Sequence, residues 1–93
     1  MSRKIIIEKD ITRFTLIKII KNSWFNFDDT CESKQPLEDL DNGFIEEDTL
    51  KAILKTAFRE KTDGSFPNST KTMFGSRNKC RYVKSCLENL LNN

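Results

Sequence analysis

The sequence predicts a small α+β domain that is mainly helical, and two observations support this fold class. Apolar residues recur every three or four positions in three segments, near 10–22, 46–60 and 76–91, which is the spacing of one helix face. Two short runs with strand propensity, 3–8 and 70–74, are predicted to pair as a small two-stranded sheet. A chain of 93 residues has room for a single globular domain with one small core.

The N-terminal segment contains Ile5-Ile6-Ile7, three consecutive β-branched residues that favour a short strand. Asp10 is suited to cap the helix that follows, because its carboxylate can accept a hydrogen bond from a backbone N–H of the first turn. The stretch 12–21 is apolar on nearly every side, so it is compatible with either a helix or a strand. As a helix, it must be packed on more than one side or expose an apolar patch to a partner.

Residues 26–43 are rich in acids, contain Pro36 and lack a regular apolar period. They are predicted to form an acidic loop, with one turn at residues 37–40. Loops of this length in a small domain are often functional.

The segment 39–45, followed by an acidic helix, resembles the loop and exit helix of an EF-hand. With Gly43 at the sixth loop position, the third position is Leu40, which offers no ligand oxygen. The closing position is Thr49, where calcium loops use a bidentate glutamate. We therefore predict a turn at this glycine before a helix, and no metal site.

The helix at 46–60 has the strongest support. Five apolar residues share one face at the spacing i, i+3, i+4, i+7 and i+8: Leu50, Ile53, Leu54, Ala57 and Phe58. Its first turn is acidic and its last turn is basic, which complements the helix dipole. This helix is expected to organise the core.

The last helix, 76–91, follows a turn region at 61–68 and has Ser76 as its predicted N-cap. One side of this helix is apolar. Another side carries basic residues at the spacing i, i+4 and i+7: Arg77, Arg81 and Lys84.

The net charge of +2 conceals a strong segregation along the chain. Residues 1–27 have six bases and two acids (net +4), residues 28–48 one base and nine acids (net −8), and residues 49–93 nine bases and three acids (net +6). This pattern predicts either a charged partner or neutralisation between segments. The candidate acidic contact surface consists of Asp28, Asp29, Glu32, Glu46, Glu47 and Asp48. The candidate basic surface, for nucleic acid or an acidic partner, consists of Arg77, Lys79, Arg81 and Lys84.

Several classes of function find no support in the sequence. The chain has no histidine to act as a general base and no glycine-rich phosphate loop, so we predict that it is not an enzyme. Its three cysteines form no paired framework and have no histidine co-ligand, so we predict free thiols and no metal or cofactor. The apolar run at 5–7 is too short for a signal peptide, and a cytoplasmic location is expected.

These observations predict a non-enzymatic binding protein that docks on a protein or ribonucleoprotein target through charge-segregated surfaces. The abundance of lysine, isoleucine and asparagine is typical of A+T-rich coding, as in many phages and low-GC bacteria. Together with the small size and the charge segregation, it fits a phage or mobile-element accessory protein that inhibits or redirects a host machine. The alternative is a DNA- or RNA-binding regulator that uses the basic C-terminal helix. A basic helix face that only keeps a small domain soluble is the third interpretation.

Overall fold

The computed structural model describes residues 3–24 and 34–92. The described residues are mainly helical and include a small two-stranded antiparallel sheet, as the sequence predicts, but they form five helices where three were expected. In chain order the elements are β1 (Lys4–Ile6), α1 (Asp10–Ile19), α2 (Lys34–Asp41), β2 (Phe44–Glu46), α3 (Glu47–Thr56), α4 (Asn68–Phe74) and α5 (Arg77–Asn92). A π-helical turn, Ile20–Trp24, continues α1. Within these residues, no helix combines the length and apolar character that a membrane span requires.

Helix α1 settles the ambiguity of residues 12–21 in favour of a helix. Its buried side consists of Leu16 and Ile19, and Ile20 continues it in the π-helical turn. Ile11 and Phe14 stay exposed, at 73% and 59% of their surface, so the helix does present apolar groups outward. The guanidinium of Arg13 lies 5.0 Å from the centre of the Phe14 ring.

The predicted cap at Asp10 is wrong. Lys9 occupies the N-cap position and makes no side-chain cap, while Asp10 is the first helical residue. The Asp10 carboxylate instead pairs with Arg13, one turn later, at 3.3 Å. An acid in the first turn still interacts favourably with the helix dipole.

Strand β1 pairs with β2 and not with residues 70–74, so the predicted strand pairing is wrong. The antiparallel register places Lys4 opposite Glu46, Ile5 opposite Ile45 and Ile6 opposite Phe44. Ile5 and Ile45 face the core, and their neighbours on either side are more exposed. β2 is only three residues long and leads directly into α3. Its residues therefore cannot be distinguished in the sequence from the helical pattern that follows.

Residues 70–74 belong to helix α4, which the sequence analysis assigned as a strand. Pro67 sits at the N-cap of this helix, and Gly75, with φ of +90°, closes it by donating its N–H to the Lys71 carbonyl at 2.7 Å. The hydroxyl of Thr70 is buried and donates to the Ala57 carbonyl. These tertiary and capping contacts override the strand propensity of the threonines.

Helix α2 occupies eight of the eighteen residues that were predicted to form the acidic loop. The loop assignment is wrong for residues 34–41, whereas residues 26–33 lie outside the described part of the chain. Leu40 is fully buried, and the nearly buried carboxylate of Asp39 accepts a hydrogen bond from Gln35 at 2.9 Å. The expected turn at Gly43 is confirmed, with φ of +90° and its N–H donated to the Leu40 carbonyl at 3.0 Å.

Helix α3 organises the core as predicted, although it ends at Thr56. Leu50, Ile53 and Phe58 are fully buried, and Phe58 meets the ring of Phe66 edge-on with centroids 6.3 Å apart. Leu54 is only partly buried and packs against the rim of this core. The same core holds the start of α5 through Cys80, whose buried thiol donates to the Thr70 carbonyl at 3.8 Å.

Candidate docking surfaces

The acidic residues that the structure describes are only partly available to a partner. Asp28, Asp29 and Glu32 lie outside the described residues. Glu47 begins α3, and its carboxylate forms ion pairs with Arg3 at 3.3 Å and Lys51 at 3.8 Å. Glu46 lies in β2 opposite Lys4 and is partly buried. Asp48 is exposed and is in no ion pair with a described residue.

The acidic segment is not held against the basic helix in the part of the chain that is described. The ion pairs found there are Arg3–Glu47, Arg13–Asp10, Lys51–Glu47 and Lys84–Glu60. None of them joins an acid from residues 34–48 to a base from residues 77–84. The two charged segments therefore do not neutralise each other by contact within the described residues.

Helix α5 begins as predicted, with Ser76 as its cap. The Ser76 hydroxyl oxygen accepts a hydrogen bond from the backbone N–H of Lys79 at 3.2 Å. Capping by serine fixes the first turn of the helix. It thereby sets the direction in which the basic side chains of that turn leave the backbone.

Arg77 and Arg81 converge on the turn at residues 61–65. A Cβ atom built on Gly64 would lie 3.5 Å from Nη2 of Arg81 and 3.7 Å from Nη1 of Arg77. The two guanidinium groups thus flank the same backbone position. Both residues are exposed, and neither guanidinium forms an ion pair or hydrogen bond with a described residue. We call Arg77, Arg81 and Gly64 the arginine site.

The one acid within this turn, Asp63, is directed at its own loop. Its carboxylate accepts hydrogen bonds from the Ser65 hydroxyl at 2.6 Å and the Ser65 N–H at 3.0 Å. These bonds hold the pKa of Asp63 below its ordinary value, with the nearby charge of Lys61 adding to the effect. Gly64 takes a φ of +82°, a conformation that favours glycine, so the chain turns sharply beneath the arginines.

The other two members of the predicted basic surface lie apart from the arginine site in different ways. Lys84 shares its side of the helix, but its ammonium pairs with Glu60 at 3.3 Å and is partly buried. Lys79 lies about 160–200° around the helix from Arg77 and Arg81, at 100° per residue. The four predicted residues therefore resolve into a pair of available arginines, an internal ion pair and a lysine on the opposite flank.

The electrostatics of the first turn of α5 are unfavourable for the helix. Arg77 and Lys79 both lie in that turn, which contains no acid. The N-terminal end of a helix carries a partial positive charge, so cations there repel it. Residues that break a local stability rule without a compensating contact are often found at functional sites.

Clusters of metal-ligating side chains and reactive thiols are two features that would indicate metal or catalytic chemistry in the described residues. No group of three or more histidine, cysteine, aspartate or glutamate side chains is placed to hold a metal ion in this part of the chain. Burial raises the pKa of the Cys80 thiol, which keeps it in the neutral form. The exposed thiol of Cys86 lies on the other flank of α5, two turns after Lys79.

The sequence analysis found Arg77 and Arg81 from their spacing but missed the contribution of Gly64. The Asp63-Gly64 pair did indicate a turn. Its position under α5 depends on how the chain runs from Phe58 to α4, which no local signal specifies.

Comparisons with protein-family models, with curated proteins and with solved structures find no match. The function of the chain is therefore inferred from the geometry of its described residues.

Proposed function

We propose that this chain is a non-enzymatic binding protein that docks on a protein or ribonucleoprotein target through its charged surfaces, with the arginine site as the main contact. One observation carries the proposal. Arg77 and Arg81 come together at the Gly64 turn, exposed and without a carboxylate partner among the described residues.

Arginine is well suited to this role. Its planar guanidinium presents several N–H donors in a fixed fork, and it binds carboxylate or phosphate groups with two parallel hydrogen bonds. Two such forks side by side can engage neighbouring anionic groups on one target. Because neither fork has an ion pair to give up within the described residues, binding breaks no stabilising contact there.

The acidic surface contributes less in this proposal. Glu47 is engaged by Arg3 and Lys51, so its charge supports the fold. Asp48, exposed beside it, is the acidic side chain most available to a basic group on the target. Exposed rim charges of this kind affect the rate of association more than the affinity.

Affinity capture from the source cell tests the proposal with a matched pair of variants. The double variant Arg77→Ala, Arg81→Ala removes the arginine site. The control, Lys71→Ala with Lys79→Ala, makes the same change in net charge at exposed lysines elsewhere. We expect the arginine variant to recover about tenfold less of the target and the lysine variant to recover nearly as much as wild type. Equal losses in the two variants would contradict a localised site.

A second function, a DNA- or RNA-binding regulator, is favoured by the same two guanidinium forks, which match phosphate groups. It predicts that a labelled duplex or RNA is retarded in a gel by the purified protein alone. The affinity should fall steeply as salt rises, and the arginine double variant should flatten that slope. If naked nucleic acid does not bind at low salt while cellular target is captured, docking on a protein component is the function. Loss of the captured target after nuclease treatment identifies a ribonucleoprotein.

A further inference from the structure

A groove of about 530 Å³ runs along β1 on the side away from β2. Its lining consists of residues 3–9, Thr12 of α1, and Cys86, Asn89 and Leu90 of α5. No residue of β2 contributes to it. The side chain of Arg3 links β1 to the last turn of α5 by donating a hydrogen bond to the Leu91 carbonyl at 2.8 Å. The groove thus has a strand along one side and a helix along the other.

The register of the sheet shows which backbone groups of β1 face this groove. Glu47 donates its N–H to the Arg3 carbonyl at 2.7 Å, and Ile7 donates its N–H to the Gly43 carbonyl at 2.8 Å. In an antiparallel ladder, hydrogen-bonded pairs alternate with pairs whose backbone groups point away from the partner strand. Ile5 lies two positions from both Arg3 and Ile7, so it is also a hydrogen-bonded position, and its N–H and C=O groups face β2.

Lys4 and Ile6 occupy the alternate positions, so their N–H and C=O groups point away from β2, toward the groove. No partner for these four groups is found in the described part of the chain. The side chain of Ile6 is also 64% exposed, opposite Phe44 on the outer face of the sheet. An edge of this kind can accept one more strand.

We infer that the outer edge of β1 binds an extended, acidic segment of a partner polypeptide, which adds as a third strand between β1 and α5. Four main-chain hydrogen bonds, to the N–H and C=O groups of Lys4 and Ile6, fix its register. Alternate side chains of the added strand point toward the core side of the sheet, where the groove offers the apolar surface of Leu90 and Ile7.

The charge of the groove selects the partner. Its lining contains the bases Arg3, Lys4 and Lys9 and a single acid, Glu8. The ammonium of Lys4 itself lies over the Phe44 ring of β2, 4.9 Å from the ring centre, so Arg3 and Lys9 are the bases nearest the groove. An acidic segment is attracted to this lining, whereas the β1 edge of a second copy would bring the same bases into repulsion.

This inference is independent of the proposed function at the arginine site. Cys86 and Leu90 lie on the flank of α5 opposite Arg77 and Arg81, at 100° per residue. The groove recognises backbone and acidic side chains of an extended segment, while the arginine site recognises a charged surface. Either contact can fail without affecting the other.

The test uses a fluorescein-labelled peptide of eight alternating valine and glutamate residues, with a valine–lysine peptide as its control. Binding is followed by fluorescence anisotropy, and amide exchange in the full chain is followed by NMR. We expect the acidic peptide to bind and the basic peptide to bind at least about tenfold more weakly. The amide of Ile6 should exchange quickly in the free protein and become protected with the acidic peptide, while the amide of Ile7 is protected in both states.

The variant Ile6→Pro removes one outward N–H and no hydrogen bond of the β1–β2 ladder, and proline is tolerated on edge strands. It should weaken the acidic peptide by about tenfold, because one peptide carbonyl is left without its donor. Ile6→Val, which keeps the N–H, should bind like wild type. The amide exchange of the wild-type chain decides the question even if Ile6→Pro does not fold. An unchanged Ile6 amide at saturating peptide, equal binding of the two peptides, or protection of that amide by self-association without peptide would each overturn the inference.

Discussion

Helices α3 and α5 both begin with a cluster of like charges, yet the two clusters have opposite relations to the fold. The acids that open α3 lie at the positive end of the helix dipole, and Glu47 also pairs with Arg3 and Lys51. The bases that open α5 lie at the same, positive end of the helix dipole, which repels their charge. Arg77 has no ion-pair partner among the described residues.

This difference separates charge that stabilises the chain from charge that is available to another molecule. At α3 the local dipole, the neighbouring bases and the sequence position all favour the same residue type. At α5 the bases of the first turn, Arg77 and Lys79, oppose the local electrostatics, so helix stability does not explain their presence. The comparison therefore indicates that the acidic cluster stabilises the fold, and it supports the proposal that the arginine site serves recognition.

The largest effect concerns how firmly each helix start is anchored. The fourth residue of each helix is fully buried: Leu50 in α3 and Cys80 in α5. Leu50→Ala should lower the free energy of unfolding by about 2–5 kcal/mol, because it leaves a cavity in the core. Cys80→Ala removes one small sulfur and should cost about 1 kcal/mol. Urea denaturation measures both, and equal losses would show that the two helix starts are anchored alike.

The next effect concerns the acidic cluster itself. Glu47→Gln keeps the shape of the side chain and removes its charge, so it loses two ion pairs and the favourable dipole term. We expect a loss of about 0.5–1.5 kcal/mol in the free energy of unfolding, smaller at high salt. Asp48→Asn, in the same turn but without an ion pair to a described residue, should cost only a few tenths of a kcal/mol. A loss at Asp48 as large as that at Glu47 would indicate that the ion pairs contribute nothing.

The sequence was sufficient to predict the elements whose signals are local and repeated. The apolar period identified α3 and α5 and predicted α1 while leaving a strand open at residues 12–21, and the serine before α5 identified its cap. Helices α2 and α4 have eight and seven residues, too few for a period to be convincing. They are held by contacts that have no period in the sequence, such as the hydrogen bond of Gln35 to Asp39, that of Thr70 to a carbonyl in the turn after α3, and the packing of Leu40 in the core.

Long-range pairing was the part that could not be predicted. Two strands of three residues carry too little pattern to identify each other across the 37 intervening residues from Ile7 to Gly43. For the same reason, the ion pair between Arg3 and Glu47 could not be predicted from the spacing of residues in the sequence. The spacing of Arg77 and Arg81 did place them on one side of a helix, but their convergence on Gly64 required the path of the chain between α3 and α4.

A smaller effect follows from the unfavourable dipole at α5. Arg77→Gln should raise the free energy of unfolding by about 0.3–1 kcal/mol, because it removes a cation from the first turn. Lys79→Gln should give a similar gain from the same turn. Only Arg77→Gln should weaken capture of the target, because Lys79 lies on the opposite flank. Thermal melts and affinity capture, carried out on the same preparations, measure the two effects. A destabilising Arg77→Gln would mean that the arginine supports the fold after all.

The smallest effect is the most direct test of whether the arginine site is free of internal neutralisation. The pKa of Asp63 is lowered chiefly by the hydroxyl and N–H of Ser65. A lowered pKa in the folded chain means that the carboxylate stabilises the turn at pH values above its ordinary pKa of 3.8. This contribution is lost as the pH falls through the pKa of the folded chain. An NMR titration of the Ser65 amide should therefore change with a midpoint below 3.8.

The variant Ser65→Ala should move that midpoint up, toward the ordinary value of a carboxyl, because it removes the largest cause of the shift. The variant Arg77→Ala, Arg81→Ala should leave the midpoint nearly where it is. If the arginine variant instead raises the midpoint more than Ser65→Ala does, Asp63 is held by the guanidinium groups in solution. The start of α5 would then be neutralised from within, as the start of α3 is, and the two clusters would have the same role.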